Sequence, residues 1–221
     1  MIHSIKSSIV IGATGLVGRN LVQALQNEKS CEQITAVVRK FNPELAKHSK
    51  VRQFVLDDFL MLNDQDVSGH THAFSCLGTT MKQAGTKENF HHIDYVINAH
   101  FAELVQQAEA HYILLSALGA NDRSPFFYNR VKGELESYIK TLSLAKVCFI
   151  QPSLLLGERN EQRFLEDATQ KLYKRFSHLV PNSFKYKPVT AEQVAHTMVY
   201  AALNQTLKFE TYDNLTIQKF K

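Results

Sequence analysis

Ser8-Ile-Val-Ile-Gly-Ala-Thr-Gly-Leu-Val-Gly18 decides how this chain is read. The apolar run Ile9–Ile11 has the β-branched composition of a buried strand. It runs straight into three glycines, Gly12, Gly15 and Gly18, and an amphipathic stretch from Leu16 to Leu25 follows at once. Strand, tight turn and helix in that order form a unit whose turn can cradle a pyrophosphate. Glycine removes the Cβ that would block a close approach, and the new helix offers free N–H groups and the positive end of its dipole. The spacing is G-x-x-G-x-x-G, not G-x-G-x-x-G, so the turn alone also suits a ligand-free connection. Gly12, Ala13, Thr14, Gly15, Leu16, Val17 and Gly18 are the candidate nucleotide-binding residues of this segment.

Outward from that unit, strand-like runs alternate with helical patterns. Strands are expected near Ser7–Ile11, Ile34–Val38, Val51–Leu56, Thr71–Cys76, Tyr112–Ser116 and Val147–Gln151. Helices are expected near Leu16–Asn27, Asn89–Ala110, Tyr128–Leu142, Gln162–Phe176 and Ala191–Leu203. The longest repeats Phe90, Ile93, Ile97, Phe101, Leu104 and Ala108 at helical spacing. Strands such as Val147–Ile150 are apolar without alternation, as in a parallel sheet covered on both faces. The expectation is an α/β fold, a Rossmann-like doubly wound parallel sheet with helices on both faces and its ligand at the carboxyl edge. The 221 residues fit a single domain, with about residues 152–221, including a strand-like run Tyr212–Ile217, roofing the substrate side.

Composition excludes several classes. At 44% hydrophobic and 21% charged residues, the chain matches an ordinary globular protein. Its net charge of +4 is scattered. The densest basic stretch (Lys171, Lys174, Arg175, Lys185, Lys187, interleaved with Phe176, Phe184 and Tyr186) reads as a solvated face, so no nucleic-acid partner is expected. Cys31, Cys76 and Cys148 are odd in number and far apart, against a disulfide scaffold. No run reaches membrane-spanning length and no signal peptide is read, giving a cytoplasmic expectation. The pairs His70-x-His72 and His91-His92 lack converging acidic or thiol partners, so no metal is expected.

At the end of the second strand, an acidic residue about 20 positions past the glycines would accept the ribose 2′-hydroxyl of NAD. Arg39 and Lys40 stand there instead, 21 and 22 positions after Gly18. Cations at that place attract a 2′-phosphate, so NADP(H) is preferred over NAD(H), a solvated Arg-Lys turn being the alternative. Past the third strand, Asp57 or Asp58 can accept from an adenine amino group, or cap a helix.

Ser116 ends the fifth strand, and Tyr128 and Lys132 are spaced i, i+4 at the start of the next long helix, on one face. An ammonium beside a phenol favours the phenolate. The phenol can then exchange a proton with a carbonyl or alcohol oxygen to which Ser116 also hydrogen-bonds.

These motifs together resemble the short-chain dehydrogenase/reductase superfamily in its atypical or extended branch. Gly12-Ala-Thr-Gly-Leu-Val-Gly18 is similar to its nucleotide turn and Tyr128-Asn-Arg-Val-Lys132 to its active-site pair. Cys76-Leu-Gly-Thr-Thr80, Ser116-Ala-Leu-Gly-Ala120, Val131-Lys-Gly-Glu134 and Gln151-Pro-Ser-Leu-Leu-Leu156 resemble the group around human HIV Tat-interactive protein 2 and its bacterial relatives. The resemblance implies Tyr128 as acid/base, Lys132 on the nicotinamide ribose and on Tyr128, and Ser116 orienting the substrate carbonyl. It also implies Asn98 as a proton-relay or structural residue. Leu77, Gly78 and Thr79 would line the cofactor, and Pro152, Ser153, Leu154 and Leu155 would meet its carboxamide. Gln151 departs from the arginine usual before this proline, and Ser153 from a common glycine. The expected activity is hydride transfer between NADP(H) and a small carbonyl or alcohol. The alternative is an NADP(H)-sensing regulator with little turnover, carrying a protein partner or forming a homodimer. Epimerase or isomerase chemistry stands behind both.

Overall fold

The computed structural model describes residues 4–156 and 184–220. The expected helix Gln162–Phe176, with Lys171, Lys174 and Arg175, lies outside those residues. The chain opens with β1 (Ser7–Ile11), the glycine turn and α1 (Leu16–Asn27), followed by β2 (Gln33–Val38) and β3 (Val51–Val55). A short α2 (Asp64–Val67) leads to β4 (His72–Ser75), then α3 (Met81–Ala84) and α4 (Lys87–His91). Helix α4 passes through a π turn (His92–Val96) into α5 (Ile97–Gln107), so the expected long helix carries one extra residue in its middle. Then come β5 (His111–Leu115), α6 (Phe127–Thr141), β6 (Lys146–Gln151), β7 (Leu155–Leu156), β8 (Val189–Thr190), α7 (Ala191–Asn204), β9 (Phe209–Asp213) and α8 (Asn214–Ile217).

Among the described residues, seven parallel strands form one sheet in the order β3-β2-β1-β4-β5-β6-β9. The order reverses beside β1, where Ile9 pairs with Thr35 on one side and Ala73 on the other. At such a reversal the connections leave in opposite directions and open a crevice at the carboxyl ends of the strands. Alternation along β1 feeds two cores. Val10 packs with Leu21, Val22 and Leu25 of α1 and with Val194 and Met198 of α7. Ile9 and Ile11 face the other way, onto Phe101 and Val105 of α5 and Leu135 and Ile139 of α6. Leu21, Val22 and Leu25 are fully buried, each contributing about 1.5–3 kcal/mol. That double cover is why β1 reads as an unbroken apolar run.

The C-terminal expectation needs correction. The run Tyr212–Ile217 is the end of strand β9 followed by a helical turn, which Asp213 starts by accepting from the Thr216 N–H at 2.9 Å. Strand β9 joins the main sheet beside β6, and α7 packs against α1. This part completes the sheet and its covering layer rather than forming only a roof. Among the described residues, no helix is long and apolar enough to cross a membrane. The three cysteines are buried and free.

Candidate functional site

The glycine turn folds as it does because two of its glycines have no room for a side chain. Gly12 has φ +75°, and a Cβ there would stand 2.5 Å from the Cys76 carbonyl carbon at the end of β4. A Cβ on Gly18 would stand 2.1 Å from the Gly12 carbonyl oxygen. These two glycines therefore bring α1 down onto the crevice between β1 and β4. Gly15 plays a different part, as the residue that starts α1 with no side-chain cap and no acid in the first turn. The first-turn N–H groups have no partners within the helix. Gly15, Leu16 and Val17 line the cleft, so these donors and the positive helix end face open space. Ala13 is buried and Thr14 exposed.

The cleft holds about 260 Å³ and is bounded on the β4 side by Cys76, Leu77, Gly78 and Thr79. Across it stand Ser116 from the end of β5 and Tyr128 and Lys132 from α6. Pro152, Ser153 and Leu155 close the β6 side. Among these, Ser153 is fixed by its N–H donating to Asn214 Oδ1 at 2.8 Å and its hydroxyl donating to the Lys187 carbonyl at 2.8 Å. Leu154 is half exposed and not among the lining residues. Helix α6 can approach so closely because Gly133 faces the Asn121 backbone, where a Cβ would come within 2.1 Å.

Tyr128 is 38% exposed, its ring tilted against Phe90 with centroids 5.7 Å apart. Lys132 is buried, and its Nζ lies 2.8 Å from Oδ1 of fully buried Asp94 in the π turn. The other Asp94 oxygen accepts from the Thr79 N–H at 2.8 Å. Burial opposes the Lys132 charge, but Asp94, Tyr128 and Glu136 outweigh it and hold the ammonium above the ordinary lysine value. Lys132 thus has a carboxylate partner that the sequence reading did not foresee. Ser116 has one as well, since its hydroxyl donates to buried Glu136 of α6. Gln151 donates to both oxygens of Glu136, at 2.8 and 3.1 Å, from the position where an arginine is usual.

Asn98 is fully buried beneath the cleft and is not among its lining residues. Its amide donates to the carbonyls of Ile93 at 3.0 Å and Asp94 at 3.3 Å, and its Oδ1 accepts from Ser75. Of the two roles open to it, the contacts are those of a brace for the π turn. Arg39 and Lys40 are exposed just past β2, and Asp57 and Asp58 just past β3, all outside the cleft lining. Asp58 accepts from the Leu60 N–H at 2.9 Å, the capping role.

Comparison with known proteins bears on this geometry. Residues 12–205 match the model of a family described as NAD(P)H-binding. "Protein FMP52-1, mitochondrial" of Scheffersomyces stipitis is 30% identical over 198 residues, covering 89% of this chain and 88% of the relative. "Protein FMP52, mitochondrial" of Lodderomyces elongisporus is 37% identical over 167 residues, covering 71% and 70%. An oxidoreductase of the short-chain dehydrogenase/reductase family from Burkholderia thailandensis superposes with a TM-score of 0.70 at 13% identity, covering 97% of this chain and 93% of the other. A short-chain type dehydrogenase/reductase from Mycobacterium ulcerans gives 0.68 at 14%, covering 100% and 92%. These structures bear out the Rossmann-like α/β expectation. The cytoplasmic expectation is overturned, because the sequence relatives carry "mitochondrial" in their names.

Proposed function

Because the chain belongs to the NAD(P)H-binding family whose model spans residues 12–205, we propose that it is an NADP(H)-dependent oxidoreductase of the short-chain dehydrogenase/reductase type, acting on a small carbonyl or alcohol. One observation carries the reading: the uncapped start of α1 and the trio Ser116, Tyr128 and Lys132 border a single cleft. The cleft fits a dinucleotide. Gly15 keeps a Cβ away from the helix donors, and no acid in the first turn opposes an anion. Arg39 and Lys40, exposed past β2, would take the 2′-phosphate and favour NADP(H), with Asp57 beside the adenine. Leu77, Gly78 and Thr79 would border the nicotinamide half, and the chain from Pro152 to Leu155 its carboxamide.

When bound, the nicotinamide supplies or accepts the hydride. Tyr128 would hold the proton that passes to or from the substrate oxygen, and its partial exposure leaves the phenol accessible from the cleft. Lys132 would orient ribose hydroxyls, and Ser116 would position the substrate oxygen. Asn98 supports the site from below by bracing the π turn.

One observation favours the sensing alternative. The Ser116 hydroxyl hydrogen is already given to Glu136, so Ser116 must turn before it can donate to a substrate carbonyl. Purified protein incubated with NADPH and a panel of aldehydes, ketones and quinones decides between them. NADPH oxidation with any member supports the oxidoreductase. Binding without turnover supports a sensor. The quoted motifs also favour a place beside the HIV Tat-interactive protein 2 group.

A further inference from the structure

The contact between Lys132 and Asp94 is the one charged pair buried against the cleft among the described residues. Three features show that the fold builds it rather than tolerates it. First, Asp94 is seated fully buried in a π turn, among the apolar neighbours Ile93, Tyr95 and Val96. Second, that turn is held by the Asn98 amide on the Ile93 and Asp94 carbonyls. Third, the far oxygen of Asp94 takes the Thr79 N–H, and Gly78 lies so close over the pair that a Cβ would come to 3.1 Å from Oδ1 and 3.4 Å from Lys132 Nζ. A buried carboxylate facing a buried ammonium costs desolvation, which the ion pair and the Thr79 N–H on the far oxygen offset.

We propose that Asp94 is a positioning residue that clamps Lys132 to the loop after β4 and sets the net charge beside Tyr128. This deepens the acid–base reading and rests on it for its consequence in turnover. A free ammonium next to a phenol draws it towards the phenolate. An ammonium neutralised at 2.8 Å by Asp94 does so far less. The lysine is thereby fixed in place, through Asp94 and the Thr79 N–H, to the cleft wall. Among the described residues, the charged and titratable groups facing Lys132 are Asp94 from the π turn, and Tyr128 and Glu136 from its own helix. Asp94 is, among the described residues, the charged group in direct contact with it from another element.

The test follows the ionisation of Tyr128 by nuclear magnetic resonance in protein with tyrosine labelled at Cζ, the signal being assigned by its loss in Tyr128→Phe. No cofactor or substrate is added, so the outcome is independent of whether NADPH is turned over. Asp94→Asn keeps an oxygen for the Thr79 N–H but removes the charge, and should lower the Tyr128 midpoint by about one pH unit. Asp94→Glu should return it most of the way. Should Asp94→Asn fail to fold, Lys132→Met tests the pair from the other side. It leaves the carboxylate unopposed and should raise the midpoint by a similar amount. A Tyr128 midpoint that stays at the parent value in the folded variants overturns the proposal. So does a shift of the opposite sign.

Discussion

A Cβ on Gly18 would lie 2.1 Å from the carbonyl oxygen of Gly12, so the third glycine of the turn serves the first. The contact is backbone against backbone, which no side-chain rotation relieves.

Gly18→Ala and Gly12→Ala should each destabilise the protein by about 3 kcal/mol or more, the latter also because φ is +75°. Gly15→Ala should cost only about 0.5–1 kcal/mol, since its nearest neighbour would be at 3.2 Å. It should nonetheless abolish the rise in melting temperature given by NADPH. Urea titrations beside thermal shifts separate the two classes. Equal loss of stability at all three positions would contradict the division.

Arg39→Ala should leave stability within about 0.5 kcal/mol of the parent, because the side chain is exposed. It should cut the preference for NADPH over NADH about tenfold, the value of one charge-assisted contact. Titration calorimetry with each nucleotide measures this, and an unaltered preference would remove Arg39 from cofactor selection.

Tyr128→Phe keeps the ring against Phe90 and loses only the hydroxyl. Turnover on any carbonyl found in the panel should fall on the order of a hundred- to ten-thousand-fold, while NADPH affinity is retained. Parent-like turnover in this variant would assign the proton to another group.

Asn98→Ala strips the π turn of the amide that serves Ile93 and Asp94 and leaves the Ser75 hydroxyl without its acceptor. A loss of about 2–3 kcal/mol is expected in chemical denaturation. If stability is unchanged and only turnover falls, Asn98 acts in the chemistry instead.

The parallel sheet was legible because its strands are apolar on both faces, as Ile9–Ile11 and Val147–Ile150 show. The cleft trio was legible because Tyr128 and Lys132 share a helix face and Ser116 ends a strand. Asp94 and Glu136 were not foreseen. Asp94 stands at i+4 from Phe90 and i−3 from Ile97, on the apolar face of the expected helix Asn89–Ala110, but the pattern alone does not say that Lys132 of another helix meets it there. Its faint signal is the i, i+4 pair with Asn98, two polar groups within an apolar run. Glu136 stands one residue past Leu135 on the inner side of α6, where i, i+4 spacing from Lys132 could have marked it. The C-terminal error had another cause. Phe209–Asp213 mixes polar and apolar residues, as suits a strand that ends the sheet among the described residues.

The ties between Ser153 and Asn214 have a consequence for the order in which the site assembles on folding. The nucleotide turn is local, running from Gly12 to Gly18 within one strand–turn–helix unit. The wall opposite it is pinned by an asparagine nearly 200 positions later, which also receives the chain at Lys185 and Lys187. Closing so long a loop is slow relative to forming one βα unit. The phosphate cradle can therefore form before the wall opposite it, so nucleotide affinity reports the late closure of the chain at Asn214.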